Sequence, residues 1–171
     1  SGSVSAKTDV VVYGESAGER VDDDTSHQPS DAQGQVLLNM ETLWQQAYPS
    51  ECVIVRPTGI YGTSVTRMIK LTETTKSYPK LHWSNRIHID DLVAFLAHLL
   101  HVEHTEKSYI CSNSQPLPLH EIIQWFQQQL GLPALVLESN KSSGKQIYAT
   151  RMQQMNFELQ HPHCFDDYLA L

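Results

Sequence analysis

The stretch ECVIVRPTGIYG, residues 51–62, decides how this chain is read. Four apolar residues, Cys52, Val53, Ile54 and Val55, run into Arg56-Pro57, and Gly59 and Gly62 then bracket Ile60-Tyr61. A continuous apolar run bounded in this way predicts a strand buried on both faces, the habit of parallel sheets. Pro57 has no N–H and cannot extend a hydrogen-bonded ladder, so the chain must leave the sheet there. The two glycines let the backbone turn sharply and come near another group. In an open parallel sheet, ligands bind beyond the carboxyl ends of strands. Yet glycine is also common in plain strand-to-helix connections, and on spacing alone the loop reads as a connection rather than a site.

Before this strand, residues 7–14 (KTDVVVYG) read as a second short buried strand ending at Tyr13-Gly14. Residues 15–35 are polar and turn-rich and predict a long surface loop. The run Asp22-Asp23-Asp24 reads there as a solvated edge rather than a metal site. From Val36 the period becomes helical: Val36, Leu37, Met40, Leu43, Trp44 and Ala47 share one face, and Tyr48-Pro49 ends the helix. Strand, helix, strand with continuous apolar strands predicts a parallel βαβ unit.

Beyond the loop, residues 66–71 are a short helical candidate and His82-Trp83 is strand-like. Ile87-His88-Ile89 leads into Asp90-Asp91, which can cap a helix over residues 92–100 that is apolar nearly all round and so predicted deeply buried. Tyr109-Ile110-Cys111 predicts a strand. Leu119, Ile122, Ile123, Phe126 and Leu130 have helical spacing, with Gly131 as C-cap candidate. Short helices are expected near residues 150–155 and 165–169.

With 171 residues the chain is long enough for one domain with a real core. The formal charge of −7 disfavours nucleic-acid or anionic-membrane surfaces. Three cysteines without CxxC spacing suit a reducing, cytoplasmic compartment. No apolar run reaches the ~18 residues that span a bilayer. The opening Ser-Gly-Ser, without methionine, suggests a cloning remnant or a piece of a longer chain. His98, His101 and His104 form an H-x2-H-x2-H array, but i+6 rotates well away from i on a helix, which favours a helix-end role over metal. Pro162 likewise breaks any regular presentation of His161, His163 and Cys164. The expected metal set is empty.

The motifs Val12-Tyr13-Gly14, Arg56-Pro57-x-x-Ile60-Tyr61-Gly62, Ile87-His88-Ile89-Asp90-Asp91-Leu92, Tyr109-Ile110-Cys111 and Pro118-Leu119-x-Glu121-Ile122-Ile123 occur in this order. Together they resemble the NAD-dependent epimerase/dehydratase family of the extended short-chain dehydrogenases/reductases, in particular its small bacterial sugar-nucleotide-epimerase-like branch. There Asn85-Arg86-Ile87-His88 and the ending over residues 157–162 also look usual. The resemblance implies an α/β fold: a partial NAD(P)-binding Rossmann-type parallel sheet with its N-terminal strands missing, over residues 1–62, and a small α/β substrate lobe over residues 63–171. It implies NAD or NADP as cofactor, with Pro57, Thr58, Gly59 and Ile60 against the nicotinamide and Tyr13 nearby. It implies a nucleotide-sugar-like substrate met by Arg67, Arg86 and His88, although many members carry the phosphate-binding arginine about where Ser84 stands.

Three departures qualify the resemblance. No GxxGxxG or GxGxxG turn is present to receive a pyrophosphate at a helix N-terminus. At ~30 residues per βαβ unit, roughly a hundred residues of the nucleotide-binding half are lacking. The family's Tyr-x-x-x-Lys pair, in which the lysine's charge lowers the tyrosine's pKa, falls on Gln33 and Leu37, and its hydroxyl partner falls near Val10. Tyr61 is a poor replacement, because Val65 and not a lysine lies four residues on. The loop after Gly62 reads Thr63-Ser64-Val65, where relatives often have Pro-Gly-Arg, leaving Arg67 and Lys70 as nearby charges. The expectation is a truncated member without catalytic residues of its own, inactive alone and doubtful in cofactor binding. The alternative is a non-catalytic ligand- or protein-binding module on the inherited fold. The strand over Val10, Val11 and Val12, or its neighbour, would leave an apolar edge unpaired, and a homodimer covering it is expected.

Overall fold

A computed structural model describes residues 10–14, 17–103 and 105–171, together with the backbone of residues 4–7. In chain order these form β1 (Val4–Lys7), β2 (Ala17–Val21), α1 (Ala32–Ala47), β3 (Cys52–Pro57), β4 (Gly59–Tyr61), α2 (Thr66–Thr74), β5 (Ser77–Tyr78), β6 (Leu81–Ser84) and β7 (Arg86–His88). There follow α3 (Ile89–Leu99), β8 (Ser108–Cys111), β9 (Leu117–Pro118), α4 (Leu119–Gln129), β10 (Val136–Leu137), β11 (Ser142–Ile147), α5 (Thr150–Gln154) and α6 (Cys164–Ala170).

The fold is α/β. β3 is the centre of a parallel sheet in the order β1-β3-β8, with Val4 opposite Cys52 and Pro57 opposite Cys111. All six residues of β3 are buried, as an apolar strand between two neighbours requires. A second sheet has the order β2-β11-β6-β9, antiparallel only at β6-β9. β4 pairs in parallel with β7, and β5 with β10. Strands from both sides of residue 62 therefore meet in the two larger sheets. Tyr109, Phe95, Ile87, Ile110 and Val55 form the centre of the core.

The structure corrects five expectations. The valine run is not a strand: Val10–Tyr13 is a 3-10 helix, and the strand beside β3 is β1. Gly14 then turns the chain at φ 73°, where a side chain would strike the Gln28 carbonyl. Residues 15–35 are not one loop, because they contain β2 and the start of α1, whose N-cap Asp31 accepts the Gly34 amide at 2.7 Å.

Nor is Asp23 solvated. It is buried, taking the Ile110 amide on Oδ1 at 2.7 Å, and the Thr150 hydroxyl and Arg151 amide on Oδ2 at 3.1 and 3.0 Å. One carboxylate thus ties β8 to the start of α5. The face of α1 is the fourth correction: Val36 and Leu43 are each 65% exposed, while Gly34 and Glu41 are buried and Leu37 and Leu38 pack on the core. An ion pair decides that orientation. Arg56 reaches from β3 to Glu41, with Nε to Oε1 at 3.0 Å and Nη2 to Oε2 at 2.7 Å, and its Nη1 donates to the Tyr13 hydroxyl at 2.9 Å. Last, α3 is one-sided: Leu92, Phe95 and Leu99 are buried, and Val93 and Leu100 face out.

Candidate functional site

The chain leaves β3 at Pro57 as the sequence demands, and the loop is fastened on both sides. The Thr58 amide donates to the Cys111 carbonyl at 3.0 Å and the Gly59 amide to the Asn85 carbonyl at 3.1 Å. A Cβ on Gly59 would come within 2.9 Å of that Asn85 oxygen, so glycine is required by a close approach of the protein to itself. Gly62 has φ 109°, and the His88 ring occupies the place of its missing side chain. Pro57 and Thr58 are buried, whereas Gly59 and Ile60 are exposed.

Gly59, Ile60 and Tyr61 form one wall of a cleft of about 740 Å³. Arg67 and Lys70 from α2 stand on another wall, Ser84 and Arg86 on a third, and Tyr168 of α6 closes part of the rim. Three cations line this space and no carboxylate does. Arg86 is the most telling of them. It is 6% exposed, and its Nη2 donates to Ser84 Oγ at 2.7 Å, while that hydroxyl donates to the Leu117 carbonyl at 2.8 Å. Its Nη1 is buried without a hydrogen-bond partner. Burial pushes the Tyr168 hydroxyl up to about 12 and the Cys164 thiol upward, in each case against the opposing pull of the Arg86 charge and of a hydrogen bond to its guanidinium. A guanidinium in a cleft wall that meets only neutral groups leaves a buried charge without a counter-ion, an arrangement that an anionic ligand would relieve. The donor set therefore suits an anion.

Of the residues that the resemblance nominates, Gly59, Ile60, Arg67 and Arg86 line this one cleft. Pro57 and Thr58 lie behind it in the sheet, and Tyr13 stands at the Arg56–Glu41 pair rather than at the cleft. His88 lies behind Tyr61, with its ring edge-on to the tyrosine at 5.1 Å, and its Nδ1 accepts the Asp90 amide as the N-cap of α3. Gln33 is exposed and Leu37 packs on the core, so neither stands ready to move a proton.

A second cluster was not foreseen. The Tyr61 hydroxyl donates to Asp167 Oδ2 at 2.5 Å, and Asp167 Oδ1 lies 2.6 Å from His161 Nδ1. The His161 ring stacks on His88 at 3.6 Å and 13°. Asp90 Oδ2 lies 3.8 Å from a nitrogen of each ring. Imidazole lone pairs lie in the ring plane, so two nearly parallel rings cannot both aim at one ion at ~2.0–2.1 Å. The cluster is a charge network. Asp167 is 106 positions from Tyr61, and no local spacing in the sequence announces their meeting. His98 and His101 of the other histidine array contact Phe157 and the Ala97 carbonyl, and His104 lies outside the described residues.

Comparison with solved structures places this geometry. A protein from Methylobacillus flagellatus assigned as an NAD-dependent epimerase/dehydratase superposes with a TM-score of 0.84 at 30% identity, over 98% of this chain and 62% of its own. This chain has the fold of that NAD-dependent epimerase/dehydratase structure. A functionally unknown conserved protein from Silicibacter pomeroyi gives 0.79 at 20% identity, over 98% of this chain and 64% of that one. The dTDP-glucose 4,6-dehydratase of Bacillus anthracis, solved with NAD, gives 0.74 at 14% identity, over 93% and 57%. The chain thus spans about three-fifths of the length of these structures. No protein-family model and no curated protein sequence matches it.

Against the family's dinucleotide the residues present fit at one end only. Gly59 and Ile60 offer exposed backbone and an apolar face at the cleft, but Gly59 is matched to Asn85 and the sequence holds no glycine-rich turn for a pyrophosphate. No helix among the described residues is long and apolar enough to cross a membrane.

Proposed function

We propose that this chain is the substrate-side part of an NAD-dependent epimerase/dehydratase-type protein, and that its cleft binds the phosphate groups of a nucleotide sugar. The reading is carried by Arg86, a buried guanidinium that forms no ion pair among the described residues, in a cleft that also holds Arg67 and Lys70. Bidentate recognition of phosphate is the habit of arginine, and Lys70 adds a point charge. Residues 1–62 contribute β1 and β3 of the central sheet and the nicotinamide-side wall, and residues 63–171 contribute β8 to that sheet and most of the substrate lobe, to which β2 is added. The chain does not by itself hold NAD or NADP in the family's manner, and it does not perform tyrosine–lysine chemistry, because Gln33 and Leu37 occupy those places. A non-catalytic binding module is the second reading, favoured by the packing of Leu37 into the core. The three buried free cysteines are consistent with a cytoplasmic setting. β1 has β3 as its only strand partner among the described residues, and we infer a homodimer that covers this edge.

Thermal melting of the 171-residue chain with NAD, NADP, UDP, a UDP-sugar and inorganic phosphate tests the reading. At a hundredfold excess over Kd, binding stabilises the native state by about 2.7 kcal/mol. That raises Tm by about 5–11 °C for a chain of this size. The expected result is a rise with the UDP-sugar that Arg86→Gln abolishes, and none with NAD or NADP alone. A rise with a dinucleotide alone, or an undiminished rise in the Arg86→Gln variant, overturns it. Light scattering showing a monomer at high concentration would refute the dimer.

A further inference from the structure

We propose that residues 161–171 form a proton-controlled strap over the cleft, latched by His161 and released when that imidazole loses its charge. The strap supplies Tyr168 to the cleft rim; Asn113 and Gln115 hold it at Pro162 and His163, and its carboxylate contacts meet at His161. Asp167, on the strap, accepts the Tyr61 hydroxyl from β4 and pairs with His161 Nδ1. On the other side, the Asp91 carboxylate at the start of α3 accepts the Gln160 and His161 amides at 2.8 and 3.0 Å, and Asp90 lies 3.8 Å from His161 Nε2. His161 is therefore a cation between the strap's carboxylate and the two carboxylates of α3. The groups facing it are Asp90 and Asp91 from α3, Asp167 from α6, Tyr61 from β4 and His88 from β7.

The stack fixes which ring holds the charge. His88 Nδ1 accepts the Asp90 amide, so that nitrogen is unprotonated, and a second positive ring 3.6 Å from His161 would be repelled. With His161 charged, the three carboxylates are bridged. With His161 neutral, Asp167 faces Asp90 and Asp91 without that cation, and the strap keeps the Tyr61 hydroxyl on Asp167, the backbone amides on Asp91 and the aromatic contacts of Phe165 and Tyr168 on Trp125 and Phe126, a weaker hold that opens more often. The hydrogen bond to Asp167, helped by the negative charges of Asp167, Asp91 and Asp90, raises the His161 pKa against the downward pull of burial. The folded value lies above the unfolded one, so the latch is fully set below the ordinary histidine pKa and is lost as pH rises through the raised value. The low-pH state is the closed one, and rising pH opens the rim at Tyr168.

Cys164 provides the readout, because it is 2% exposed and lies on the strap, whereas Cys111 is buried in the central sheet. Burial raises both thiols, Cys111 to about 12, so below pH 9 both thiolate fractions grow in parallel and the ratio of their labelling reports opening. The whole chain is pulsed with iodoacetamide from pH 6 to 9, and modification at each cysteine is read by peptide mass spectrometry. In the wild type the Cys164-to-Cys111 ratio should climb about two- to fivefold, the range of a part-exposed ion pair. In His161→Gln it should be high and flat, and Asp167→Asn, which keeps the shape of the carboxylate, should flatten it as well. A flat wild-type ratio, or a wild-type-like climb in His161→Gln, overturns the proposal, and the wild-type profile decides even where a variant fails to fold.

Discussion

Replacing Glu41 by alanine removes the carboxylate that receives two guanidinium hydrogen bonds from Arg56, at 3.0 and 2.7 Å. The two side chains are 2% and 3% exposed, so solvent cannot take over the role of the lost partner. Arg56 would keep only the Tyr13 hydroxyl, a neutral oxygen, for a full positive charge. Breaking a buried pair from one side costs about 3–5 kcal/mol, because an uncompensated charge remains in a low-dielectric site. At about 2–4 °C per kcal/mol for a chain of this length, Tm should fall by about 6–20 °C. Urea unfolding followed by circular dichroism measures the loss as a shift of midpoint at constant slope. Replacing both members, Glu41→Met with Arg56→Met, should recover most of the loss, since a buried ion pair is rarely more stable than well-packed apolar groups. The two variants together isolate the unpaired charge from the lost contact area. A Glu41→Ala variant within about 1 kcal/mol of the wild type would refute the reasoning, because exposed pairs behave in that way.

Three further outcomes follow from single side chains. Asp23→Ala leaves the Ile110 and Arg151 amides without their acceptor and should cost about 2–5 kcal/mol in urea unfolding, whereas an aspartate on a solvated loop would cost almost nothing. Gly62→Ala combines a left-handed φ with a clash against the His88 ring, and should lower stability by about 1–3 kcal/mol or more while displacing the ring, visible as a changed His88 imidazole resonance. The stability advantage of the wild type over His161→Gln should be constant below the ordinary histidine pKa and shrink as pH rises through the raised His161 value, and an advantage that instead grows with pH would contradict the sign of that shift.

Much of the fold was legible where one strand or helix announces itself. β3, β8, α2, α4 and the two C-terminal helices lie where apolar runs and helical spacing put them, because their burial follows from local pattern. The misread elements are those whose conformation is set from a distance. The valines of Val10–Tyr13 have strand propensity, but Gly14 and the Gln28 amide bonded to the Val12 carbonyl hold them in a 3-10 turn. The apolar spacing of α1 pointed Val36 and Leu43 inward, but a buried charge on Glu41 must face Arg56, and one ion pair outranks a stripe of moderate hydrophobicity. At the cleft, the sequence brought Arg67, Arg86, Gly59 and Ile60 to attention through resemblance. Lys70 stood beside Arg67 as a nearby charge, whereas Tyr168 and the Asp167–His161 pair came together only through folding, since contacts between β4 and α6 leave no periodic trace.

The loop over residues 57–62 shows how connection and site can be the same backbone. Thr58 and Gly59 are held by carbonyls of β8 and of the turn before β7, and Gly62 is held against His88, so the glycines serve the packing of the protein on itself. That packing is what turns Ile60 and Tyr61 toward the cleft and sets Arg86, directly opposite Gly59 in the β4–β7 register, at the same opening. Relaxing the connection must therefore move the binding wall. Asn85 is the residue on which this can be tested with least damage to the cations: its carbonyl receives the Gly59 amide, while its side chain accepts the Ile147 amide at 2.8 Å and donates to the Lys145 carbonyl at 2.8 Å. Asn85→Ala removes two side-chain hydrogen bonds and should cost about 1–3 kcal/mol of stability. Its effect on anion binding should exceed that of an equally destabilising substitution remote from the cleft, because it frees the turn that aligns Gly59 with Arg86. Equal loss of affinity in two such variants of matched stability would mean that the loop is a connection alone.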